Sequence, residues 1–176
     1  MDNNILILGI GGAGGNIINA IYRDSKNSTL RNARYIYADT DTIALRTFKN
    51  FFGKAIETLV LNSEEEEFPT EVLRRVEHLF IVVGLGGKTG SYFACNALQT
   101  AKDMNIDVSV FATIPFEFEY KRVFALEIAK KLTDISSEDI FIFDNKELKK
   151  CPIHINFVDA LNYVDDEARK FIEGLV

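Results

Sequence analysis

Two glycine-rich loops are the parts of this sequence best suited to chemistry. The first, Gly9–Gly14, reads GIGGAG and follows the apolar run ILIL. The second lies within Phe80–Ala94, which reads FIVVGLGGKTGSYFA and places Gly-Lys-Thr after another apolar run. Glycines let a backbone approach a phosphate closely, and the free N–H groups of a helix start donate to it. Both loops therefore predict a phosphate-binding site.

The second loop does not fit the P-loop pattern of nucleotide hydrolases. The pattern G-x-x-x-x-G-K-[ST], ending at Lys88 and Thr89, requires a glycine where the sequence has Val82. The first loop does match G-x-G-x-x-G, and Asp39 ends the next predicted strand. Such an acid can bind a ribose. An NAD(P)-binding Rossmann-type enzyme that uses Gly9–Gly14 and Asp39 is therefore an open alternative.

The composition narrows the class of protein. A chain of 176 residues with 47% hydrophobic residues is expected to form one globular domain. The net charge of −6 and the lack of a basic stripe argue against nucleic-acid binding. Cys95 and Cys151 lie far apart, without companions at metal-ligand spacing, so no metal site is expected. There is no apolar run of membrane-spanning length and no basic leader, so we expect a cytoplasmic protein without a membrane span.

Predicted strands alternate with predicted helices along the chain. Each strand is a continuous apolar run, which is typical of a parallel sheet covered on both faces. The fold class is therefore α/β, with three layers and a mostly parallel sheet. The predicted strands are Ile5–Leu8, Ala33–Ala38, Thr58–Leu61, Leu79–Val83, Asp107–Thr113 and Ile140–Phe143. The predicted helices are Asn16–Arg23, Glu71–Glu77, Ser91–Met104, Glu119–Leu132 and Asn156–Val176.

The last of these helices is amphipathic. Its polar side carries Asp159, Asn162, Asp166, Arg169, Lys170 and Glu173. Its apolar stripe consists of Phe157, Leu161, Val164, Ala168, Phe171 and Leu175. One side of this helix is therefore expected to face a core and the other to face water.

Six segments spread over nearly the whole chain follow one pattern in the same order. They read GIGGAGGNIIN from Gly9, ADTDTIAL from Ala38, GLGGKTGSY from Gly84, IPFEFE from Ile114, DNKEL from Asp144 and DALNYVDDEA from Asp159. Together they resemble the nucleotide loops and central helix of the tubulin-like bacterial cell-division GTPases, the FtsZ family. Six matches in order are far more specific than one glycine motif.

This resemblance implies a ligand and the residues that hold it. The ligand would be GTP or GDP, with or without Mg²⁺. Glu119 would hold the ribose, Asn145 and Asp165 would bond the guanine edge, and Leu161 occupies the place of the base-stacking residue. The phosphates would be held by Gly11, Gly12, Ala13, Gly14, Asn16, Gly86, Gly87, Lys88, Thr89, Gly90 and Ser91.

Simpler roles stay open for several of these residues. Asn16 and Asn145 could each cap a helix, and Asp165 could be a solvated helix residue. Glu119 could be a first-turn acid favoured by the helix dipole, and Lys88 could point to solvent. A protein that kept the fold but lost its ligand, and serves as a non-catalytic interaction module, is a third hypothesis.

The sequence also departs from the FtsZ pattern. The region of the third glycine loop has the acidic run Glu64–Glu67 and no glycine, which is expected to repel a γ-phosphate. Leu161 stands where the family has an aromatic residue, and Val123 stands at a basic position, although Lys121 and Arg122 are close by. Lys88 replaces a glycine, and we hypothesise that its ammonium group contacts a phosphate.

The end of the chain bears on the expected organisation and activity. Residues 1–155 are predicted to form the nucleotide-binding domain and residues 156–176 a central-type helix packed on it, with no second domain. The polar side of that helix favours a natural stand-alone domain. Since the sequence ends where the family continues into its hydrolytic loop, we expect little or no GTP hydrolysis. The resemblance implies a role in cell division or a bacterial cytoskeleton, with self-association or association with an FtsZ-type polymer.

Overall fold

A parallel β-sheet forms the centre of the molecule. The computed structural model describes residues 4–52, 55–62, 67–137, 139–150 and 156–176. Within these ranges, six strands lie in the order β3-β2-β1-β4-β5-β6, and every neighbouring pair is parallel. The predicted α/β fold is therefore confirmed. The strands are β1 Ile5–Ile10, β2 Arg34–Asp39, β3 Glu57–Val60, β4 His78–Gly84, β5 Asp107–Ile114 and β6 Ile140–Asp144.

Helices connect the strands, and their bounds differ in places from the predicted ones. The predicted helix Glu71–Glu77 is instead a 3-10 turn at Thr70–Leu73, and the left-handed conformation of Arg75 (φ 64°) follows it. A second 3-10 segment covers Asn145–Lys150. The α-helices are α1 Gly11–Asp24, α2 Ser28–Arg31, α3 Thr42–Phe52, α4 Lys88–Asp103, α5 Arg122–Ile135 and α6 Phe157–Glu173.

The sheet has a hydrophobic core on each face. Side chains alternate along a strand, so Leu6 and Leu8 of β1 point to one face and Ile7 points to the other. The first face packs against α4 and α5 through residues such as Phe93 and Leu132. The second packs against α1, α3 and α6. This arrangement gives the three layers predicted from the sequence.

Helix α6 packs against the second face with a stripe that differs from the predicted one. Val164, Ala168 and Ile172 are buried, whereas Leu161 is 49% exposed and Leu175 is 39% exposed. Ile172 was not in the predicted stripe, and the side chain of Phe157, which was, lies outside the described part. Phe171 is half-buried and lies 6.1 Å from the ring of Phe111, centroid to centroid. The buried stripe is therefore rotated toward position 172, where α6 packs against α1 and against aromatic residues of the sheet.

The two cysteines and the acidic run are only partly covered by the described residues. Cys95 is half-buried and packs against the core on the α4 side. Cys151 and residues 64–66 of the acidic run lie outside the described residues, while Glu67 is exposed. In the part that the structure describes, no helix is long and apolar enough to cross a membrane.

The packing of α6 gives a stability prediction. Ile172 is fully buried, so Ile172→Ala is expected to lower the free energy of unfolding by about 2–4 kcal/mol. Val158, on the same helix, is 62% exposed, and Val158→Ala should change it by no more than about 0.5 kcal/mol. Urea unfolding followed by circular dichroism measures both values. Equal losses would contradict the described packing of α6.

Candidate functional site

The strand order of the sheet reverses at its centre, between β1 and β4. Strands β1 and β4 are neighbours, and the connections that leave them run to opposite edges of the sheet. Ligands of doubly wound folds bind in the crevice at the carboxyl ends of such strands. A cavity of about 350 Å³ lies there. Its wall includes Gly11, Gly12, Ala13, Gly86, Gly87, Lys88, Thr89, Gly90, Glu119 and Asn145.

Two helices begin at this cavity without side-chain caps. The N-cap residues are Ile10 for α1 and Gly87 for α4, and no described side chain accepts a hydrogen bond from either helix start. In contrast, Asn27 caps α2 and Asn156 caps α6. Uncapped N–H groups and the positive end of the helix dipole both favour an anion. The cavity is therefore built to receive a negatively charged group.

Glycines at two turns of the loops hold conformations that other residues adopt poorly. Gly11 has φ +72° and Gly86 has φ +102°. The two loops also approach one another, since a Cβ atom on Gly11 would lie 3.4 Å from the backbone N of Gly90. The positions of both helix starts therefore depend on glycine.

The remaining loop glycines serve two different purposes. A Cβ atom added to Gly12 or Gly87 would meet no described atom within 4 Å, so these two residues present open backbone to the cavity. A Cβ atom on Gly14 would lie 2.4 Å from the carbonyl O of Val82. Gly14 is buried and lies beneath the cavity rather than in its wall. Its function in the fold is to let α1 pack directly on β4.

Three side chains at the start of α4 have distinct positions. The hydroxyl of Ser91 is fully buried and accepts a hydrogen bond from the backbone N of Gly86 at 3.1 Å, which supports the turn from beneath. Thr89 lines the cavity, and its hydroxyl lies 2.7 Å from that of Thr40 in the loop after β2. Lys88 is exposed at the rim and makes no ion pair within the described ranges.

A second cavity of about 210 Å³ adjoins the first. Ala13, Thr113 and Asn145 belong to the walls of both. The second cavity brings together Asn16, Asn145, Leu161 and Asp165, which the sequence places far apart. The two cavities therefore form one continuous site between the glycine loops and helix α6.

Asn145 has a polar atom without a partner. Its Oδ1 atom is buried and has no hydrogen-bond partner in the described structure. The 3-10 segment that begins here is capped instead by Asp144, whose Oδ1 accepts from the backbone N of Lys146 at 3.0 Å. Asn145 therefore does not cap this segment. Since buried acceptors are almost always satisfied, its amide oxygen is suited to accept a donor from a ligand.

The position of Asn145 is supported by an ion pair. The guanidinium of Arg122 bonds both carboxylate oxygens of Asp144, at 2.8 and 2.7 Å, and also donates to the carbonyl of Pro115 at 2.6 Å. Arg122 holds the pKa of Asp144 far below its usual range. This pair ties the end of β6 to the start of α5, so Arg122 is occupied within the protein.

Asp165 lies in a partly apolar environment. It is half-buried in the wall of the second cavity, next to Leu161. Burial raises the pKa of Asp165 to about 6, and Asp166 and Asp24 add to that effect while Arg23 opposes it. Asp165 is therefore not a freely solvated helix residue.

Glu119 and Lys121 complete the first cavity. Glu119 precedes α5, and its Oε1 atom accepts a hydrogen bond from the backbone N of Phe116 at 3.0 Å. Lys121 is the N-cap residue of α5 and also lines the wall. From the sequence, Lys121 was recognised only as a cation close to Val123 and was not assigned to the site.

Asp39, the candidate ribose ligand of the dinucleotide alternative, is already engaged. It is 7% exposed, and its Oδ2 accepts from the hydroxyl of Tyr37 at 2.7 Å. Its Oδ1 accepts from the backbone N of Asp41 at 3.2 Å. Each oxygen could accept a second hydrogen bond, but little of the carboxylate is exposed for a ribose hydroxyl to reach.

Comparisons with known proteins agree with this architecture. The cell-division protein FtsZ of Aquifex aeolicus is 29% identical over 188 residues, which cover 97% of this chain and 50% of that protein. The structure of an FtsZ dimer from M. jannaschii superposes with a TM-score of 0.77 at 19% identity, over 97% of this chain and 53% of that one. CetZ from Methanosaeta thermophila gives a TM-score of 0.75 at 19% identity, over 98% and 53% of the two chains.

The resemblance to the FtsZ/tubulin-like family is confirmed. The likeness is distant, since no family model matches the chain and the FtsZ proteins compared are 27–29% identical to it. It spans about half the length of the curated FtsZ proteins that it matches. The structures show that it shares the fold of FtsZ.

Val123 and Leu161, which depart from the FtsZ pattern, and Asn16, which matches it, have the following positions in the structure. Val123 carries no charge, and its side chain is 69% exposed. Leu161 lines the second cavity at its exposed edge. Asn16 also lines the second cavity and lies within α1 rather than at its start, so it does not cap that helix.

Replacement by alanine is expected to have different effects on stability at the tightly packed Gly14 and at the open Gly12. Gly14→Ala should lower the free energy of unfolding by at least about 2 kcal/mol, because the new methyl group would overlap a backbone carbonyl. Gly12→Ala should leave it unchanged or raise it by up to about 1 kcal/mol, because alanine is the better helix former. Chemical denaturation of both variants tests this, and a large loss in Gly12→Ala would contradict the open environment of that residue.

The environment of Asp165 predicts a pH dependence of stability. Its pKa is about 6 in the folded chain and about 3.9 when unfolded, so between these values the folded state binds more protons. This residue's contribution therefore falls as pH rises from about 4 to about 6. Asp165→Asn should remove that decline relative to the unmodified chain, and the exposed control Asp159→Asn should retain it. Urea unfolding at a series of pH values measures the difference, and parallel profiles for all three proteins would refute the assignment.

Proposed function

We propose that this chain binds a guanine nucleotide, GTP or GDP, across the two joined cavities. The observation that carries this proposal is the pairing of an anion site with a hydrogen-bonding pocket through a shared wall. Two uncapped helix starts face the first cavity, and the unpartnered oxygen of Asn145 marks the wall shared with the second. A nucleotide has a polyanionic end and a base with N–H donors, and so matches both.

The phosphates would lie over the open backbone of Gly12 and Gly87, where a Cβ atom would meet nothing. Gly11, Ala13, Gly86, Thr89 and Gly90 would complete this cradle, with Gly14 and Ser91 supporting it from beneath. Glu119, at the edge of the same cavity, would hold the ribose. Lys88, which replaces a glycine of the family pattern, would contribute positive charge, with or without Mg²⁺.

The base would enter the second cavity, where Asn145, Asp165, Asn16 and Leu161 meet. Guanine presents two N–H donors on its pairing edge, and the ionised carboxylate of Asp165 can accept both. The Asn145 amide oxygen accepts a further donor. Adenine presents an acceptor at the corresponding ring nitrogen, so it would leave Asp165 unpaired, and polar sites discriminate strongly against such mismatches.

The two rival functions receive less support. A dinucleotide enzyme would need Asp39 for the ribose, yet Asp39 is only 7% exposed, whereas Glu119 is only half-buried. Such an enzyme would also have no use for the second glycine loop. A non-catalytic interaction module has no need of the open backbone at Gly12 and Gly87.

The likeness to FtsZ supports the wider part of the proposal. We infer a cytoplasmic role in cell division or a bacterial cytoskeleton, with self-association or association with an FtsZ-type polymer. The chain alone would hydrolyse GTP slowly or not at all. The described wall of the first cavity contains two carboxylates: Asp39 is 7% exposed, and Glu119 is assigned to the ribose, so neither is free to orient an attacking water.

Calorimetric titration tests the proposed ligand. GTP and GDP should bind, and ATP and NAD⁺ should bind at least about tenfold more weakly. Asn145→Ala should reduce the affinity for GDP by about tenfold or more, because a buried hydrogen bond to the base is lost. The matched control is Asn162→Ala on the exposed side of α6, which should bind GDP normally.

Other outcomes would decide between the rivals. Preferential binding of NAD⁺ would favour the dinucleotide enzyme, and no binding of any nucleotide would favour the interaction module. Phosphate release from the GTP complex tests the expected low hydrolysis, and rapid turnover by the isolated chain would contradict it.

A further inference from the structure

We propose that Lys88 and Lys121 act as a pair of cations that neutralise the phosphates and thereby replace much of the need for a divalent metal. This inference rests on the proposed nucleotide function and adds to it the source of counter-charge. Neither the helix starts nor the glycines carry a full positive charge, so a bound polyphosphate needs such a source.

The acidic and basic side chains around the first cavity differ in whether they have partners within the protein. Its described wall contains two acids, Asp39 and Glu119, and two cations, Lys88 and Lys121. Both acids accept hydrogen bonds from the protein. Neither lysine forms an ion pair with a described residue. The neutral donors to the two acids leave both of them charged, so the formal charges of the wall cancel, and the two lysines are the charged groups that no described residue holds by a hydrogen bond or ion pair. Within the described residues, no group of three acidic, His or Cys side chains could hold a metal.

Lys88 is placed at one side of the second glycine loop. It is the first residue of α4, between Gly87 and Thr89, and all three line the cavity. Its side chain is exposed at the rim, so its ammonium group can turn inward without breaking an ion pair of the described structure. An ammonium group at a helix start is repelled by the helix dipole, and a bound phosphate would relieve that repulsion.

Lys121 is placed at the other side of the same loop. A Cβ atom on Gly86 would lie 3.1 Å from the Cβ of Lys121, so this side chain leaves the backbone directly against the loop. Its ammonium lies 5.6 Å from the ring of Tyr120, which is 88% exposed. Such an exposed cation–π contact is weak and would give way to a phosphate. The neighbouring cation Arg122 is not available, because Asp144 holds it with two hydrogen bonds.

Lysine and Mg²⁺ would neutralise the same phosphate oxygens. A charge-assisted hydrogen bond is shorter and about twice as strong as a neutral one, so two lysines can supply much of the stabilisation that a metal gives. If they do, adding Mg²⁺ to the unmodified chain improves nucleotide affinity little. Removing the lysines should make the affinity depend strongly on Mg²⁺.

The test measures GTP and guanosine affinities of the full chain in EDTA and in excess Mg²⁺. In EDTA, Lys88→Met and Lys121→Met should each weaken GTP binding by about tenfold, and the double variant by about a hundredfold. Guanosine, which has no phosphate, should bind all variants equally. Lys88→Arg should retain GTP binding because it keeps the charge. The control Lys102→Met removes an exposed lysine from the far end of α4 and should bind like the unmodified chain.

The decisive measurement is the effect of Mg²⁺. It should improve GTP binding by less than about threefold in the unmodified chain and by more than about tenfold in the double variant. Equal GTP affinity of the double variant and the unmodified chain in EDTA would overturn the inference, as would an equal loss of guanosine binding. Failure of the unmodified chain to bind both GTP and guanosine would instead overturn the proposed function, and this inference with it.

Discussion

Direct backbone contact at the carboxyl ends of β1 and β4 determines the position of almost every other part of the site. A side chain on Gly14 would collide with the carbonyl of Val82, and one on Gly9 would lie 2.6 Å from the carbonyl O of Gly14. Because no side chain separates these segments, helix α1 lies directly on β4. The starts of α1 and α4 then face one cavity, with Gly11 next to Gly90. The convergence of two uncapped helix starts on one cavity is a consequence of this close approach.

The opposite wall depends on a different kind of interaction. The bidentate ion pair between Arg122 and Asp144 connects the start of α5 with the end of β6. Both side chains are largely buried, at 15% and 16% exposure, so the pair is less accessible to screening by salt than a surface pair. It positions Asn145 in the wall that the two cavities share. The ion pair therefore positions this wall of the cavity, as the glycine contacts position the opposite wall.

Much of the fold could be predicted from the sequence, because its signals are local. Continuous apolar runs gave the parallel sheet, and the glycine loops marked its carboxyl end. The start of α1 was predicted at Asn16 rather than Gly11, because glycines are poor helix formers and packing on β4 overrides that preference. Helix α3 was missed, although Asp41 accepts hydrogen bonds from the backbone N–H groups of Ile43 and Ala44 at its start. In the sequence its first residue, Thr42, directly follows the Asp-Thr-Asp turn and continues its polar run.

The site was predictable only in outline. The order of the motifs placed the site residues at strand ends. Other features depend on distances between separate loops: the ion pair of Arg122 with Asp144, the unpartnered oxygen of Asn145 and the contact of Lys121 with Gly86. Contacts between separate loops produce no periodic pattern in a sequence, so they could not be predicted from it. The same is true of the paired hydroxyls of Thr40 and Thr89, which join the loop after β2 to the start of α4.

The wall shared by the two cavities has a consequence for how any ligand is selected. A molecule that reaches both cavities binds as a chelate does, because holding one end keeps the other at a high local concentration near its own pocket. Ala13, Thr113 and Asn145 set the separation between the two pockets. A free base or a free diphosphate, which occupies one pocket only, would gain none of that advantage. Selectivity then arises from the distance between the two ends of the ligand as much as from the contacts at either end.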